Sequence, residues 1–128
     1  MADTEKITVN LSVVDLGKID LLVDQGVYSN RTDLIRTAIR NQLDKHTSIV
    51  EQTITRKMLA VGVVKLSRRG LEASQAKGEQ LDVRVVGLLV VAKDVSPELV
   101  RETIRSIELF GVLQASAEVK EVLQERNV

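Results

Sequence analysis

The feature that most constrains this chain is a short alternating segment near its start, KITVNL at residues 6–11. Its apolar residues Ile7, Val9 and Leu11 alternate with polar ones, and a period of two predicts a strand with one apolar face. A strand this short cannot fold alone, because its backbone groups stay unpaired and its apolar face stays in water. It therefore needs a second strand, and a second copy of the same segment is the nearest candidate.

The opposite face of this predicted strand carries Lys6, Thr8 and Asn10. A cation, a hydroxyl and an amide can all donate hydrogen bonds, which suits them to contact base edges in a major groove. On its own, a polar face on a short strand is more often only a solvated surface. Recognition of DNA is therefore predicted only if the following segments complete a suitable fold.

Two amphipathic helices are predicted after the strand. Apolar residues recur at steps of three and four from Val13 to Gln25, and Gly26 is a candidate left-handed C-cap. Ser29 or Asn30 can cap the second helix, and Asp33 follows Asn30 at capping-box spacing. One apolar face of the second helix is formed by Leu34, Ile35, Ala38, Ile39 and Leu43. The exposed amides of its first turn form a natural seat for a phosphate.

KITVNLS, the first helix and GVYSNRTDLIRTAIRNQL together resemble the ribbon-helix-helix DNA-binding domains of the CopG and Arc type. The resemblance covers about the first third of the chain, and it implies that strands from two chains pair antiparallel and enter the major groove. It implies that Lys6, Thr8 and Asn10 contact bases, whereas Ser29, Asn30 and Arg31 hold the phosphate backbone. The shared dimer core is then expected at Ile7, Val9, Leu11, Leu34, Ile35, Ala38 and Ile39.

The charge of the first 46 residues is unusual for a DNA-binding domain. They contain six Lys or Arg and seven Asp or Glu, whereas such domains normally carry a basic patch. Positive charge would have to be concentrated at Lys6, Lys18 and Arg31. Asp20 and the other acidic residues of the first helix would face away from the DNA. We therefore expect one dimer to make few phosphate contacts, with a shallow salt dependence, and several dimers to bind adjacent sites together.

The second half contains an internal repeat centred on three glycines. LAVGVVKLS surrounds Gly62, VRVVGLLVVA surrounds Gly87 and IELFGVLQAS surrounds Gly111, at separations of 25 and 24 residues. A helix is predicted after each block, at 68–77, 96–105 and 117–125. Strand–helix units at this spacing predict parallel strands joined by right-handed crossovers. Because glycine inside a strand indicates a bend or a close backbone approach, the three glycines are expected to stack where the coil turns.

This second half is also predicted to associate with itself. Strands such as VRVVGLLVV are apolar on both faces, which is typical of buried parallel strands. Apart from the acidic last helix, the sequence contains no obvious polar cap for the terminal repeats. Contacts between copies would produce a closed assembly, or a filament if they are head-to-tail.

The predicted fold class is α+β. An N-terminal ribbon-helix-helix intertwined dimer at 1–46 is followed by a linker at 47–56. A small β/α repeat domain with parallel strands, expected to mediate oligomerisation, occupies 57–128. The linker contains apolar residues and is expected to be ordered, either as an extension of the second helix or as a separate short turn.

Several functional classes are disfavoured by the sequence. There is no cysteine and a single histidine, His46, so neither a metal site nor a cofactor is expected. Phosphate-binding loops and nucleophile elbows are absent, so we do not expect an enzyme. The sequence contains no long apolar run and no signal peptide, which predicts no membrane partner and a cytoplasmic, bacterial, nucleoid-associated protein.

Three functions remain open. The favoured one is a homo-oligomeric transcriptional repressor whose partners are double-stranded DNA and further copies of itself. A structural DNA-coating or filament-forming protein for plasmid partition or nucleoid organisation is the first alternative. The second alternative is an antitoxin with an unknown protein partner. Antitoxin tails are usually polar and fold on binding, whereas residues 57–128 are apolar and patterned, so the antitoxin ranks lower.

Overall fold

The computed structural model describes residues 4–127, which form helices and one three-stranded sheet. The helices are α1 (Val13–Asp24), α2 (Arg31–Lys45), α3 (Thr47–Lys57), α4 (Arg68–Ala76), α5 (Pro97–Thr103) and α6 (Ala117–Glu125). The strands are β1 (Ala60–Leu66), β2 (Leu81–Val91) and β3 (Ile104–Gln114). One compact unit comprises Lys6–Thr53, and the other contains the sheet, from Ile54 onward, together with Thr4 and Glu5. The domain limits predicted at residues 46 and 57 stay predictions. No helix within the described residues is long and apolar enough to cross a bilayer.

The first helix ends as predicted at Gly26. This glycine has a φ of 78°, its N–H donates to the Val23 carbonyl, and the N–H of Val27 donates to the Leu22 carbonyl, both at 3.0 Å. This pair of bonds is the Schellman motif, which satisfies the last carbonyls of a helix and needs a residue that adopts positive φ without strain. The Gly26 C-cap is therefore confirmed.

The N-terminal unit has no hydrophobic core within one chain. No residue from Lys6 to Thr53 is buried, and the apolar side chains of Val9 and Ile39 are 66% and 49% exposed. Apolar groups left in water contribute no hydrophobic stabilisation. The helices α1 and α2 contact each other but bury no side chain, so this unit lacks most of the tertiary packing from which helices in proteins derive their stability.

The predicted strand at 6–11 lies in a segment, residues 4–12, that belongs to no helix or strand of the single chain. A strand needs a hydrogen-bonded neighbour, and no part of the described chain pairs with this segment. The strand stays a prediction that requires a second copy.

The linker region is a separate helix, a conformation that the sequence left open. His46, with φ of −109° and ψ of 16°, interrupts the helical path between α2 and α3. At the end of α3, the Lys57 ammonium lies 2.5 Å from a carboxylate oxygen of Glu108 and 5.7 Å from the centre of the Phe110 ring. Arg84 also donates to the Lys57 carbonyl at 3.3 Å. These contacts fix where the chain enters β1.

The sheet is parallel, with the strand order β1-β2-β3, which confirms the predicted parallel strands. One face of β2 and β3 packs against α4, α5 and α6. The buried apolar residues of these five elements form a single cluster. The most buried members of that cluster are Leu71, Val85, Leu89, Val100, Ile104, Val119 and Val122. The hydrophobic core of the described chain is therefore in the C-terminal unit.

A serine begins each of the three helices that cover the sheet. Ser67, Ser96 and Ser116 accept hydrogen bonds from backbone N–H groups three residues later, at 3.0, 3.2 and 3.2 Å. At Ser96 the cap is followed by Pro97, whose missing N–H costs nothing in the first turn of a helix. The serine that follows every strand block is a further part of the repeat, and it satisfies an otherwise unpaired helix amide.

The helix predicted at 96–105 is wrong at its C-terminal end. α5 ends at Thr103, and Ile104 begins β3 with φ of −102° and ψ of 111°. Ile104 is only 1% exposed and pairs with Leu81 of β2. Burying this β-branched side chain between the sheet and the helices stabilises the fold more than a further residue of α5 would. The helices predicted at 68–77 and 117–125 agree with α4 and α6 to within a residue.

The three repeat glycines lie side by side across the sheet. Gly62 pairs with Gly87, and Gly87 pairs with Gly111, with φ values of 122°, 133° and 133°. A Cβ atom on Gly87 would collide with the carbonyl oxygen of Gly62, and one on Gly111 would collide with that of Gly87. The predicted stacking and close backbone approach are confirmed.

An ion pair joins the beginnings of β2 and β3. Both carboxylate oxygens of Asp82 accept from Arg105, at 3.1 and 2.5 Å, and Ser106 donates to one of them at 2.6 Å. The hydrogen bonds from Arg105 and Ser106 lower the pKa of Asp82 to about 2.

Replacing Asp82 with asparagine should therefore destabilise the sheet in a pH-dependent way. Because folding lowers this pKa, the native carboxylate adds stability above the unfolded value of about 3.9, and the gain is lost as the pH falls towards 2. The free energies of unfolding of wild type and Asp82→Asn, measured in urea, should differ most at pH 6 and converge as the pH falls towards 2. A difference that stays constant over this range would contradict a charge-based effect.

Candidate nucleic-acid interface

The start of α2 is organised by a reciprocal pair of hydrogen bonds. Asn30 is the N-cap residue, and its side-chain oxygen accepts from the Asp33 N–H at 2.8 Å. The Asp33 carboxylate accepts in turn from the Ser29 N–H at 3.0 Å. This arrangement confirms the predicted capping box and makes Asn30, not Ser29, the cap. The amides of Arg31 and Thr32 have no acceptor within the described chain and remain at the helix N-terminus.

Arg31, a predicted phosphate-binding residue, is engaged by an acidic side chain of α1. Its guanidinium donates two hydrogen bonds to Asp20, at 2.7 and 2.8 Å. The hydrogen bonds from Arg31 lower the pKa of Asp20. The expectation that Asp20 faces away from this region is wrong, because α1 and α2 pack together and bring the two side chains within contact distance.

Two arginines outside the predicted phosphate-binding set also lie beside this helix start. Arg36 and Arg40 line a surface depression of about 490 Å³ together with Ser29, Asn30 and Thr32. Among residues 4–127, no ion pair involves either arginine. The signal was present in the sequence, since residues four apart on a helix share one face.

The predicted base-contacting residues Lys6, Thr8 and Asn10 are all exposed. Their side chains make no hydrogen bonds within the described part of the chain, and none joins them to Ser29, Asn30 or Arg31. The single chain therefore presents these two predicted groups separately.

The residues predicted to form a dimer core are accessible in the single chain. Ile7 is 74% exposed, Leu11 45% and Ile35 38%, in addition to Val9 and Ile39. Leu34 is half-buried, and Ala38 is exposed. These apolar side chains make no core within the chain itself.

Comparison with known proteins identifies the family. The profile of a ribbon-helix-helix transcriptional regulator family matches residues 2–120. The chain belongs to this family. Ribbon-helix-helix proteins of this kind are DNA-binding transcriptional regulators, and the match extends beyond the helical unit into the C-terminal sheet. The profile thus covers the whole Lys6–Thr53 unit and the sheet-containing unit as far as residue 120.

A relative of this ribbon-helix-helix chain is the transcriptional regulator CdrS of Halobacterium salinarum. It is 30% identical over 43 residues, which make up 34% of this chain and 78% of CdrS. No solved structure matches the chain with significant similarity. Within the described residues, no cluster of three histidine or acidic side chains could hold a metal ion.

Proposed function

We propose that the chain is a sequence-specific transcriptional repressor that binds DNA as a dimer, with the segments 6–11 of two copies paired as a ribbon in the major groove. The observation that carries the proposal is the exposed apolar surface of the Lys6–Thr53 unit, in which no side chain is buried. A second copy would cover Val9 and Ile39 and supply the missing hydrogen-bonded strand. Family membership supports the same arrangement.

In such a ribbon, alternation places Lys6, Thr8 and Asn10 on the face opposite Ile7 and Val9. When the apolar face is covered by the helices of the dimer, the polar face points outward and can enter the groove. The asparagine amide is suited to adenine, because its oxygen can accept from the adenine N6 amino group while its NH2 group donates to N7.

Replacing Asn10 with alanine should relax sequence preference. The expected loss is about 1–3 kcal/mol of discrimination at one base pair, because a bidentate contact disappears while the dimer stays folded. Competition binding against a set of single-base operator variants measures this. Arg36→Ala is the matched control and should weaken binding to all operator variants equally. An equal loss on every sequence for Asn10→Ala would contradict base recognition.

The phosphate contacts are proposed at the start of α2. The side chains of Arg36 and Arg40 line one depression together with Thr32 and Asp33. The amides of Arg31 and Thr32, unpaired within the described chain, add the partial positive charge of the helix N-terminus. Ser29 and Asn30 shape this turn through their bonds with Asp33. Arg31 can contribute its side-chain charge only in competition with Asp20, which fits the expected small number of phosphate contacts.

Replacing Asp20 with asparagine should strengthen DNA binding and its salt dependence. Loss of the carboxylate releases Arg31, and one further phosphate contact steepens the slope of log K against log salt by about 0.9. Binding measured between low and moderate salt gives this slope. Asp24→Asn makes the same charge change on α1 without releasing Arg31, so an equal effect of both substitutions would contradict the competition.

The proposal includes cooperative assembly through the C-terminal unit, and footprinting of DNA upstream of the coding region tests it. For a cooperative repressor, protection should begin at one site and spread abruptly as the concentration of the full chain rises. Uniform coating without a preferred start would instead favour the structural DNA-coating protein. An absence of protection would contradict the proposed repressor function and favour the antitoxin alternative, which requires a protein partner.

A further inference from the structure

Both outer edges of the parallel sheet are open over a defined length. Within residues 4–127, no strand pairs with the outer edge of β1. The outer edge of β3 is paired at a single position, where Asn127 bridges Ile107 and the Ile107 N–H donates to the Arg126 carbonyl at 3.1 Å. Unpaired backbone edges are templates for the addition of another strand.

The two open edges match each other in length and register. β1 has seven residues and β2 and β3 have eleven each, and β1 pairs only with the second part of β2, from Val85 to Val91. The equivalent part of β3 is Leu109–Gln114, which begins two residues beyond the position that Asn127 occupies. The open part of β3 is thus the part with which another strand would pair if it had the length and register of β1.

The glycine stack is incomplete at the β1 edge. The Cα hydrogens of Gly87 and Gly111 face the carbonyl of the preceding glycine, but the corresponding space beside Gly62 is empty within the described chain. Gly62 nevertheless has the same left-handed backbone, with φ of 122°. Another strand with a glycine at this level would fit against Gly62 without a side chain in the way.

We infer that β1 of one copy adds in parallel to β3 of a second copy, so that the sheet continues from chain to chain. In the register of the existing pairs, Gly62 lies beside the Gly111 carbonyl of the other copy, and Lys65 lies beside its Gln114. The contact joins two different surfaces, so it is head-to-tail and can extend along a row of dimers. This contact would be the structural basis of the cooperative assembly in the proposed function. Only its role on DNA rests on that proposed function.

Engineered cysteines test this contact, because the natural chain contains none. Lys65→Cys and Gln114→Cys should be prepared as separate full-length variants, mixed without DNA and oxidised. Neighbouring strands are about 4.8 Å apart, which suits a disulfide. Within one chain, β2 separates the two positions by about 10 Å, so only a contact between chains can join them.

A cross-linked product is expected in the mixture and not in either variant alone. Lys65→Cys mixed with Arg105→Cys is the control, since Arg105 lies about 30 Å further along the strand direction. A product from Lys65→Cys alone or from Gln114→Cys alone would overturn the head-to-tail contact, as would the absence of product in the mixture. Operator binding is measured separately, so failure there contradicts the repressor without affecting the cross-linking result.

A second measurement needs no cysteine. The Leu66 carbonyl accepts from Ala92 on the β2 side at 3.0 Å, so alternation directs the Lys65 N–H towards the open edge. Lys65→Pro removes this donor, whereas Lys65→Ala removes only the side chain. Sedimentation should show assembly beyond the dimer for wild type and Lys65→Ala and its loss for Lys65→Pro. Equal sedimentation of all three proteins would overturn the inference.

Discussion

Replacing Gly87 with alanine is expected to unfold the C-terminal sheet. The added methyl group collides with the Gly62 carbonyl oxygen, a backbone atom that cannot move unless β1 and β2 separate. The left-handed backbone, with φ of 133°, adds strain of about 1–3 kcal/mol for any residue with a side chain. The total loss should exceed about 4 kcal/mol, a size that single substitutions rarely reach. Urea unfolding followed by circular dichroism measures it.

Gly62→Ala separates the two causes of this effect. Its backbone is similarly left-handed, but a Cβ atom there meets nothing within 4 Å in one chain. At low protein concentration, where contacts between dimers are negligible, Gly62→Ala should lower the free energy of unfolding only by the backbone strain of about 1–3 kcal/mol. Equal losses for Gly62→Ala and Gly87→Ala would show that close strand approach is not why glycine is required at position 87.

Replacing Val9 with aspartate is expected to abolish the N-terminal dimer. In the single chain this side chain is 66% exposed, so a carboxylate there would have little effect on a monomer. In the proposed ribbon the same position is covered by a second copy, and an unpaired buried charge costs about 3–5 kcal/mol in each chain. At low protein concentration, where contacts between sheets are negligible, sedimentation equilibrium should show a monomer, and circular dichroism should show lost helix from α1 and α2.

Thr8→Asp is the matched control for Val9→Asp, because it places the same charge one residue away on the opposite face of the predicted strand. It should leave the dimer intact and abolish DNA binding, since a carboxylate in the groove is repelled by the phosphates. A stable dimer for Val9→Asp would contradict the proposed ribbon, and loss of the dimer for Thr8→Asp would contradict the assignment of the two faces.

Local features of the fold were accessible from the sequence because short-range chemistry determines them. Gly26 ends α1 by supplying a positive φ, and Asn30 and Asp33 cap α2 through bonds that span three and four residues. The spacing of Gly62, Gly87 and Gly111 likewise predicted parallel strands and a stacked backbone. In each case the deciding atoms belong to neighbouring residues or to equivalent positions of a repeat.

Tertiary structure decided the features that depend on residues brought together from distant positions. The pairing of Arg31 with Asp20, the start of β3 at Ile104 and the bonds of Asp82 with Arg105 could not be predicted, since local propensity contains no information about which side chains meet across elements. The segment 6–11 shows the same principle in another form. Its alternation predicts a strand, but only a second chain can provide the hydrogen-bonded neighbour that makes it one.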